Sequence, residues 1–381
     1  MGAVVEVGPV AHGGHCVARL DGRVIFVRHA LPGERVRIRV TDTGHDKFWR
    51  ADAYEILEAA ADRVEPPCPA AGPGRCGGCD FQHVNLAAQR RFKASVLAEQ
   101  LERLAGIEWA GEVEEVVAPG SEDGLHWRTR MRYQVDGDGI PGLRRHRSHQ
   151  IEPLPSGGCR IAHRAAPAVH DRSWTPDSEL IAVAGPVPTL LVNGKVVEGR
   201  SEINEHAAGR TWRLAADGFW QVHPAAADTL VGAVLNGLRP QLGERAVDLY
   251  CGVGLFTGAL VDAGVKAWGV EWSREATVSA RRNVPEARFT AGRVERVLRT
   301  LPKRTDLVVL DPPRTGAGKD VVDAVIARRP RAVAYVACDP AALARDLRRA
   351  NELGYQATSI RGFDLFPMTH HLEVVAILAP A

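Results

Sequence analysis

A chain of 381 residues is longer than a single hydrophobic core usually serves, so its length predicts two or three domains. Its net charge of +2 excludes a uniformly basic nucleic-acid-binding surface, and its 45% hydrophobic content excludes a disordered chain. The first residues, MGAVVEVGPV, lack the basic and apolar regions of a signal peptide, and no apolar run reaches the length of a membrane span. We therefore expect a soluble, cytoplasmic, monomeric protein that does not contact a membrane.

Residues 1–60 alternate apolar and polar side chains in short runs that Gly and Pro interrupt. This pattern predicts a small all-β barrel of the OB-like kind. Arginines decorate the predicted barrel surface, and a solvated charged face explains them about as well as an RNA-binding face does. These arginines are Arg19, Arg28, Arg35, Arg37 and Arg39.

Residues 61–205 form a different region, which begins with a loop rich in Pro, Gly and Cys. A periodic apolar pattern then predicts a helix over 84–105 that packs on the following domain, and short strands come after it, so we expect a mixed α+β fold. The chain has seven cysteines, and an odd number in an intracellular protein argues against a disulfide framework and for metal-binding or catalytic roles.

Two basic segments of this central region, HWRTRMRY and RRHRSH, include Trp127 and Tyr133 among their arginines. Strand alternation predicts that the first three arginines share one face, which suits phosphate contacts and base stacking. A solvated strand face is the alternative interpretation. The candidate RNA-binding residues are Arg128, Arg130, Arg132, Arg144, Arg145 and Arg147.

From residue 206 to 381, predicted strands and helices alternate, which indicates an α/β doubly wound, Rossmann-like domain with a parallel sheet. The last strand, EVVAIL, follows its predecessor after a short connection and is predicted to run antiparallel. It would then begin at the edge of the sheet where the parallel strands end.

The segment DLYCGVGLF follows the first strand of this domain and predicts a ligand-binding turn. Gly252 and Gly254 allow a ligand to approach the backbone closely, but the third glycine of a dinucleotide fingerprint is missing. Asp248 is unfavourable beside a pyrophosphate and suits a cation, which favours S-adenosylmethionine with its sulfonium and ammonium groups. Glu271 ends the next strand and is placed for ribose hydroxyls, and Gln221 could cap the same pocket.

Two more polar residues directly follow strands of the predicted sheet, Asp311 after the fourth and Cys338 after the fifth. Glu373 begins the antiparallel strand and is expected on the same rim. These groups suit methylation of C5 of a uracil: a thiolate adds to C6, and a carboxylate later removes the C5 proton. A helix following Cys338 would lower the pKa of its thiol. Ordinary core and surface roles are the alternative for each residue.

The motifs LDPPRTGAG, YVACDPAALARDL, DLYCGVGLF, FWQVHP and THHLEVV together resemble the bacterial class I RNA 5-methyluridine methyltransferases, most closely the 23S ribosomal RNA branch. The resemblance covers essentially the whole chain. It implies three domains: a TRAM barrel at 1–60, a cysteine-rich central RNA-binding domain at 61–205 and a methyltransferase domain at 206–381. It also implies an RNA substrate, with ribosomal RNA favoured over transfer RNA.

By this resemblance Cys338 is the nucleophile, Glu373 is the proton acceptor, and Gln221, Tyr250, Glu271 and Asp311 bind S-adenosylmethionine. The resemblance further implies that four cysteines hold a structural [4Fe–4S] cluster, whereas their spacing alone allows zinc equally well. These cysteines are Cys68, Cys76, Cys79 and Cys159.

The sequence departs from the family pattern where Asp339 replaces the commoner Asn beside the thiol, and a second carboxylate there would raise the thiol pKa. Leu255 and Arg293 stand where polar or acidic cofactor contacts are commoner, and the interval between Cys68 and Cys76 is longer than usual. Two rival functions stay open. An amino-group methyltransferase would use the DPPR loop without a thiol, and an RNA chaperone would not bind S-adenosylmethionine.

Overall fold

In the computed structural model, which describes residues 2–302 and 304–381, the chain divides into two compact units. The first unit contains residues 1–96, 117–199 and 366–371, and the second contains 97–116, 200–365 and 372–381. No helix within the described residues is both long enough and apolar enough to cross a membrane.

The first unit begins with a closed five-stranded barrel, as the alternating pattern predicts. Alternate residues such as Ile25 and Val27 are fully buried because successive side chains of a strand point to opposite faces. Neighbouring strands follow the order β1-β2-β3-β5-β4. The strands are β1 (Ala3–Ala11), β2 (His15–Leu20), β3 (Arg23–Arg28), β4 (Arg35–Asp42) and β5 (Phe48–Glu58).

After an irregular segment that contains three of the cysteines, helix α1 extends over Leu86–Ala105 and confirms the predicted helix to within two residues. Its residues up to Val96 belong to the first unit, and those from Leu97 onwards belong to the second. Phe81, Val84 and Ala88 belong to the same hydrophobic core as the barrel interior. The beginning of α1 is therefore anchored by apolar burial within the first unit.

The rest of the first unit is built on a six-stranded antiparallel sheet, with strand order β12-β11-β10-β7-β8-β9. One face carries a core that includes Met131, Tyr133 and Leu180. The strands are β7 (Arg130–Val135), β8 (Pro141–Arg144), β9 (Ile151–Pro153), β10 (Glu179–Val183), β11 (Thr189–Val192) and β12 (Lys195–Glu198).

The second unit contains an eight-stranded sheet with the order β17-β16-β15-β18-β19-β21-β20-β6, and a separate hairpin of β13 and β14. The central strands are almost fully buried, as expected for a sheet covered on both faces. The strands are β6 (Val113–Glu115), β13 (Glu202–Ala207), β14 (Arg210–Ala215), β15 (Arg245–Leu249), β16 (Lys266–Glu271), β17 (Arg288–Ala291), β18 (Leu307–Leu310), β19 (Ala332–Ala337), β20 (Tyr355–Asp364) and β21 (Glu373–Pro380).

Helices alternate with the parallel strands of this sheet, which is the doubly wound arrangement that the sequence predicts. The helices are α2 (Ala226–Leu238), α3 (Leu255–Asp262), α4 (Arg274–Asn283), α5 (Val294–Val297), α6 (Lys319–Ile326) and α7 (Pro340–Glu352). Strand β21 runs antiparallel between β19 and β20, so the predicted direction of the last strand is confirmed.

The compact units do not follow the predicted domain boundaries. A boundary at 206 falls inside β13, which pairs with β14 over its whole length from Glu202 to Ala207. The second unit also takes β6 from the central region, because β6 pairs in parallel with β20. The hydrophobic pattern of the sequence could not reveal β6, because a strand of three residues is too short to show a periodicity.

Candidate active site

The carboxyl ends of β15 and β18 meet at the point where strand order reverses in the parallel part of the sheet. Strand β15 pairs with β16 on one side and with β18 on the other, and all three are parallel. In doubly wound sheets a ligand binds in the crevice at this switch point. Asp248 and Asp311 lie on these two strands or directly after them, so the topology brings together residues that are 63 positions apart.

Asp248 is the most enclosed polar group at this edge, with no exposed surface. Thr257 of α3 donates its hydroxyl to Oδ2 of Asp248 at 2.6 Å, whereas Oδ1 is buried without a hydrogen-bond partner. The pKa of Asp248 is raised to about 7, mainly by burial and also by the nearby Glu271, although the hydrogen bonds from Thr257 lower it. An unpartnered buried carboxylate oxygen is costly in the free protein, and it is suited to a cationic ligand group.

The turn between β15 and α3 is held in a strained conformation. Tyr250 adopts a φ of +66° and Gly254 a φ of +98°, both in the left-handed region. The Glu271 carboxylate accepts the backbone N–H groups of Gly252 at 3.0 Å and of Ser273 at 2.7 Å. Glu271 therefore fixes the turn, and each of its oxygens keeps a lone pair for the predicted ribose contact.

Cys338 and Glu373 lie opposite one another at the end of the antiparallel pair. Ala337, the last residue of β19, pairs with Val374 of β21, so the residues next to them, Cys338 and Glu373, come together on the rim. Asp311 acts electrostatically on both. The convergence that the strand directions predict is therefore observed, while the chemical roles of these residues stay predictions.

The electrostatics of this rim differ from one expectation. The pKa of the Cys338 thiol is raised to about 11, mainly by burial and then by the nearby Glu373, and Arg314 partly offsets these effects. The predicted lowering by the helix N-terminus is not found in the ligand-free protein. Burial likewise raises the pKa of Glu373 well above its usual value, and Asp311 adds to the effect. Burial also raises the pKa of Asp311 to about 7.

Asp339, the residue that departs from the family pattern, has a local structural task. It is the N-cap of α7, and its Oδ1 accepts the backbone N–H of Ala342 at 2.8 Å. Its negative charge contributes to the raised pKa of Cys338, after Glu373 and Asp311. An Asn at this position could make the same cap without the charge.

Three further residues lie near the cofactor turns in sequence. Gln221 is partly exposed in the loop before α2, and its place in the pocket stays a prediction. Leu255 is buried as the first residue of α3, so it contributes packing there. Arg293 is exposed, and its guanidinium lies 5.5 Å from the ring centre of the exposed Trp272.

The four cysteines of the predicted cluster lie close enough to influence each other's ionisation. Burial raises the pKa of Cys76 to about 11, and Cys159 and Cys68 add to the effect. Burial likewise raises the pKa of Cys79 well above its usual value, with contributions from Cys159 and Cys76. All four are free thiols within the first unit.

A hydrogen-bond donor points at one of these sulfur atoms. The backbone N–H of Gly78 donates to Cys76 Sγ at 3.4 Å. The backbone of Ile161 and Ala162 partly offsets the raised pKa of Cys159, and the Gln82 side chain partly offsets that of Cys79. Across residues 2–302 and 304–381, however, no three His, Cys, Asp or Glu side chains are already arranged to hold a metal ion.

The predicted RNA-binding strand has the expected alternation but not the expected aromatic surface. Met131 and Tyr133 face the core of the sheet, whereas Arg132 is exposed on the opposite face. Tyr133 is 3% exposed and Trp127 is fully buried, so the expectation that they stack on bases is wrong. The two rings are buried because removing a large aromatic surface from water stabilises the folded protein.

Acidic side chains of the first unit lie beside Arg132, Arg145 and Arg147, which are among the candidate RNA-binding arginines. Arg132 pairs with Glu179 at 2.6 Å and Arg145 with the buried Glu152 at 2.9 Å. Arg147 lies 3.9 Å from Asp42 of the barrel. Arg128 and Arg130 are partly buried, and Arg144 is exposed at the end of β8. Phosphate contacts by the paired arginines would have to compete with these carboxylates.

Comparison with known proteins identifies two domains in the chain. A model of the TRAM domain matches residues 4–53, and one described as tRNA (Uracil-5-)-methyltransferase matches residues 302–380. An RNA methyltransferase of Streptomyces avermitilis is 50% identical over 99% of this chain and 98% of its own length. One of Streptomyces coelicolor is 49% identical over 99% of this chain and 92% of its own length.

The chain belongs to the S-adenosylmethionine-dependent RNA uracil-5-methyltransferases. The fold agrees: a tRNA (uracil-54, C5)-methyltransferase of Pyrococcus abyssi, solved with S-adenosyl-L-homocysteine, matches with a TM-score of 0.74. The match covers 98% of this chain and 99% of that chain at 23% identity, so it supports the architecture alone. The TRAM match confirms the predicted N-terminal barrel.

Sequence analysis of this methyltransferase missed three residues around the rim. Arg314 is a cation that lowers the pKa of both Cys338 and Glu373. Tyr335 and Asp346 are buried beside the DPPR loop. A carboxylate on the apolar stripe of α7, between Leu343 and Leu347, is the signal that could have found Asp346.

Proposed function

We propose that this uracil-5-methyltransferase works through a covalent adduct between Cys338 and C6 of the target uracil. The observation that carries the proposal is the β19–β21 register, in which Cys338 comes opposite the buried Glu373. C5 of uracil is a weak nucleophile until a group adds at C6, so a thiol beside a methyl donor has a defined task.

The steps use one thiol and one carboxyl group. The Cys338 thiolate forms the Sγ–C6 bond, and the electron pair of the C5–C6 double bond moves towards C5 and O4. Bound S-adenosylmethionine would supply the methyl group that C5 takes, and its methyl–sulfur bond would break to leave S-adenosyl-L-homocysteine. The Glu373 carboxylate then removes the C5 proton, the C5–C6 double bond reforms, and the Sγ–C6 bond breaks to release the thiolate.

Two variants test this sequence of steps. Cys338→Ala should reduce methylation by about 1,000-fold or more, because the nucleophile is lost. Glu373→Gln should accumulate a protein–RNA complex that survives SDS gel electrophoresis, because the C5 proton cannot leave and the Sγ–C6 bond stays intact. Cys16→Ala, which removes a buried thiol of the barrel, is the control. Full activity of Cys338→Ala would exclude the covalent route and favour amino-group chemistry.

We assign S-adenosylmethionine to the switch-point crevice because its cationic groups fit the carboxyl groups found there. The unpartnered Oδ1 of Asp248 is the clearest observation in favour. Asp248, Tyr250, Gly252, Gly254, Glu271 and Asp311 would line this site, with Gln221 at its entrance. Since the pKa values of Asp248 and Asp311 are raised to about 7, affinity should rise as pH increases through 7.

Calorimetry tests this assignment directly. Binding at pH 7 should release protons, seen as a dependence of the binding enthalpy on the ionisation enthalpy of the buffer, and at pH 9 the release should nearly vanish. Asp248→Asn should weaken binding by about 10-fold or more, since it removes the buried charge. Unchanged affinity in this variant and no proton release at pH 7 would refute the assignment.

We propose that Cys68, Cys76, Cys79 and Cys159 hold a [4Fe–4S] cluster. The donor set is four thiols, and the backbone N–H of Gly78 already donates to the sulfur atom of Cys76. Such a hydrogen bond stabilises a thiolate or a cluster sulfur atom. Because burial raises the pKa of the Cys76, Cys79 and Cys159 thiols, the metal itself must displace their protons on binding. The cluster would be structural, joining the loop around Cys76 to Cys159.

Optical spectroscopy and metal analysis of anaerobically purified protein test the cluster. A broad absorption near 400 nm with four irons per chain is expected, and Cys159→Ser should lose both. Zinc in place of iron would overturn the cluster but keep the four-cysteine site. Cys251→Ser, in the second unit, serves as the control.

We propose 23S ribosomal RNA as the substrate, which rests on the motif resemblance. Transfer RNA is the second candidate, because the matching family model is described as a tRNA (Uracil-5-)-methyltransferase. The target uridine must leave its stack to reach the rim, so a loop or folded region is expected. The TRAM barrel (1–60) and the central domain (61–205) would bind RNA, and residues 206–381 would carry the catalytic domain.

Mapping of 5-methyluridine distinguishes the two substrates. Ribosomal and transfer RNA fractions from cells with and without the gene would be compared, and the purified protein would be supplied with each unmodified fraction. Loss of 5-methyluridine from 23S RNA alone supports the proposal. Loss from transfer RNA alone would transfer the assignment to the second candidate.

A further inference from the structure

A buried hydrogen-bond network lies directly behind the DPPR loop. The Asp346 Oδ2 atom accepts the Tyr335 hydroxyl at 2.6 Å, the backbone N–H of Ala317 at 2.8 Å and that of Gly318 at 3.2 Å. The Ala317 N–H is also 2.9 Å from the Tyr335 hydroxyl oxygen. Tyr335 is 2% exposed and Asp346 is 7% exposed. One carboxylate oxygen thus receives three donors out of contact with solvent.

This network connects the two chain segments that carry the rim residues. Tyr335 lies on β19, three residues before Cys338, and Asp346 lies on α7, eight residues after it. Ala317 and Gly318 end the loop that begins at Asp311 and contains Arg314. The strand, the turn and the helix around Cys338 are therefore joined to the DPPR loop through a single side chain.

Backbone hydrogen bonds also restrain the loop at its beginning and within its turn. Asp311 is fixed by the end of β18, where its N–H is 3.3 Å from the carbonyl oxygen of Leu249. The turn that contains Arg314 is closed by a bond from Gly316 N–H to the Pro313 carbonyl at 2.8 Å. A Cβ added at Gly316 would lie 2.8 Å from Asp346 Oδ2, so the turn packs against the carboxylate itself.

Given the proposed role of Cys338, we infer that Asp346 and Tyr335 are positioning residues that hold Arg314 beside the nucleophile and the catalytic carboxyl group. Arg314 is the residue through which they act. It is exposed on its loop, so its distance from Cys338 depends on where the loop is fixed. Hydrogen bonds to a buried charge are strong enough to fix such a loop.

The network also lies near the cofactor turn. The charge of Asp346 contributes to a raised pKa of the Tyr250 hydroxyl, after burial and Glu295, and Tyr250 acts on Tyr335 in turn. Burial raises the pKa of Tyr335, and Asp346 adds to it, so the Tyr335 hydroxyl stays a donor. A shift of this network would therefore affect the rim more than the overall fold.

The pH dependence of Cys338 alkylation reports the position of Arg314 without requiring catalysis. Glu373, Asp311 and Asp339 raise the pKa of Cys338, and Arg314 is the charge that lowers it. Iodoacetamide labelling, followed by mass spectrometry of the Cys338 peptide, gives the apparent pKa of this one thiol. In the Asp346→Asn and Tyr335→Phe variants, the apparent pKa of Cys338 should rise by about half a pKa unit or more. If Asp346→Asn only removed a negative charge and did not move the loop, the pKa of Cys338 would fall instead of rising.

Single-turnover methylation is the second measurement, and both variants should slow it by about 10-fold or more with little change in RNA affinity. Asp323→Asn is the matched control. Asp323 pairs with Arg349 and so joins α6 to α7 away from the DPPR loop, and its loss should change both readouts by less than about twofold.

The inference is overturned if both variants keep the wild-type alkylation profile, or if Asp323→Asn shifts it equally. A lower melting temperature with an unchanged profile would indicate a purely structural role. If Asp346→Asn does not fold, Tyr335→Phe, which keeps the charge, decides the matter. The two proposals fail in different ways. If the covalent mechanism is wrong, Cys338→Ala keeps its methylation activity. The alkylation profile of Cys338 still measures the position of Arg314 in that case.

Discussion

At the scale of single residues, the rim of the sheet collects charges that are unfavourable in the free protein. Asp248, Asp311 and Glu373 all have raised pKa values, and burial is the largest cause for each. Ionisable groups with strongly shifted pKa values cluster at functional sites, because ligand binding or a reaction step depends on the shifted protonation state. Their location on the rim of the sheet could be predicted from the sequence, whereas their burial depends on the folded sheet.

Asp248→Asn should therefore stabilise the ligand-free protein while it weakens the cofactor site. A carboxyl group whose folded pKa of about 7 exceeds its unfolded value contributes stability at low pH, which is lost as pH rises through 7. At about 1.4 kcal/mol per pKa unit, the advantage of Asn should grow by about 2–3 kcal/mol between pH 5 and pH 8.

Urea unfolding at both pH values measures this gain. Asp262→Asn, which alters an exposed ion pair with Arg210 on the same unit, is the control, and its effect should not grow with pH in this way. An Asp248→Asn protein that is less stable than the wild type at pH 8 would contradict the prediction.

At the scale of elements, the turn between β19 and α7 combines a helix cap with the nucleophile. Asp339 caps α7, and Pro340 at the next position fits the first helical turn because its missing N–H needs no partner there. The existence of this strand, turn and helix could be predicted from the motif. The raised pKa of the thiol could not be predicted, because it comes from burial and from the charge of Glu373, which is distant in sequence.

Substitution of Asp339 should separate its two effects. Asp339→Ala should lower the free energy of unfolding by about 1 kcal/mol, because the Ala342 N–H loses its acceptor. Asp339→Asn should cost little and should lower the pKa of Cys338, because the cap stays and the charge is removed. Thermal unfolding and alkylation of Cys338 measure the two quantities. An Asn variant with a higher thiol pKa would show that the Asp339 charge does not act on Cys338.

At the scale of the whole molecule, the chain enters each compact unit more than once. Residues 366–371 belong to the first unit, where the Asp80 carboxylate accepts a hydrogen bond from His370 at 2.5 Å and the Gln89 side chain accepts the Met368 N–H at 2.7 Å. Strand β6 belongs to the second unit. Such exchanges join segments far apart in sequence, so local pattern cannot reveal them.

The placement of β13 gives a prediction about domain boundaries. A fragment of residues 200–381 keeps the β13–β14 hairpin, whereas a fragment of 206–381 leaves the paired edge of β14, which carries the fully buried Trp212, uncovered. The longer fragment should give more soluble protein and unfold at a higher urea concentration. Sedimentation of cell lysates and urea unfolding compare the two, and equal behaviour would show that β13 does not belong to this unit.

The sequence by itself determined the barrel, the doubly wound sheet, the direction of the last strand and the residues that meet on its rim. Strand periodicity and the order of strands and helices are local, and the carboxyl ends of parallel strands must share an edge. Only the tertiary structure decided that Cys338 carries a raised pKa, that Trp127 and Tyr133 are core residues, and that Asp346 fixes the DPPR loop. These properties depend on burial and on contacts between distant segments, and a linear pattern contains neither.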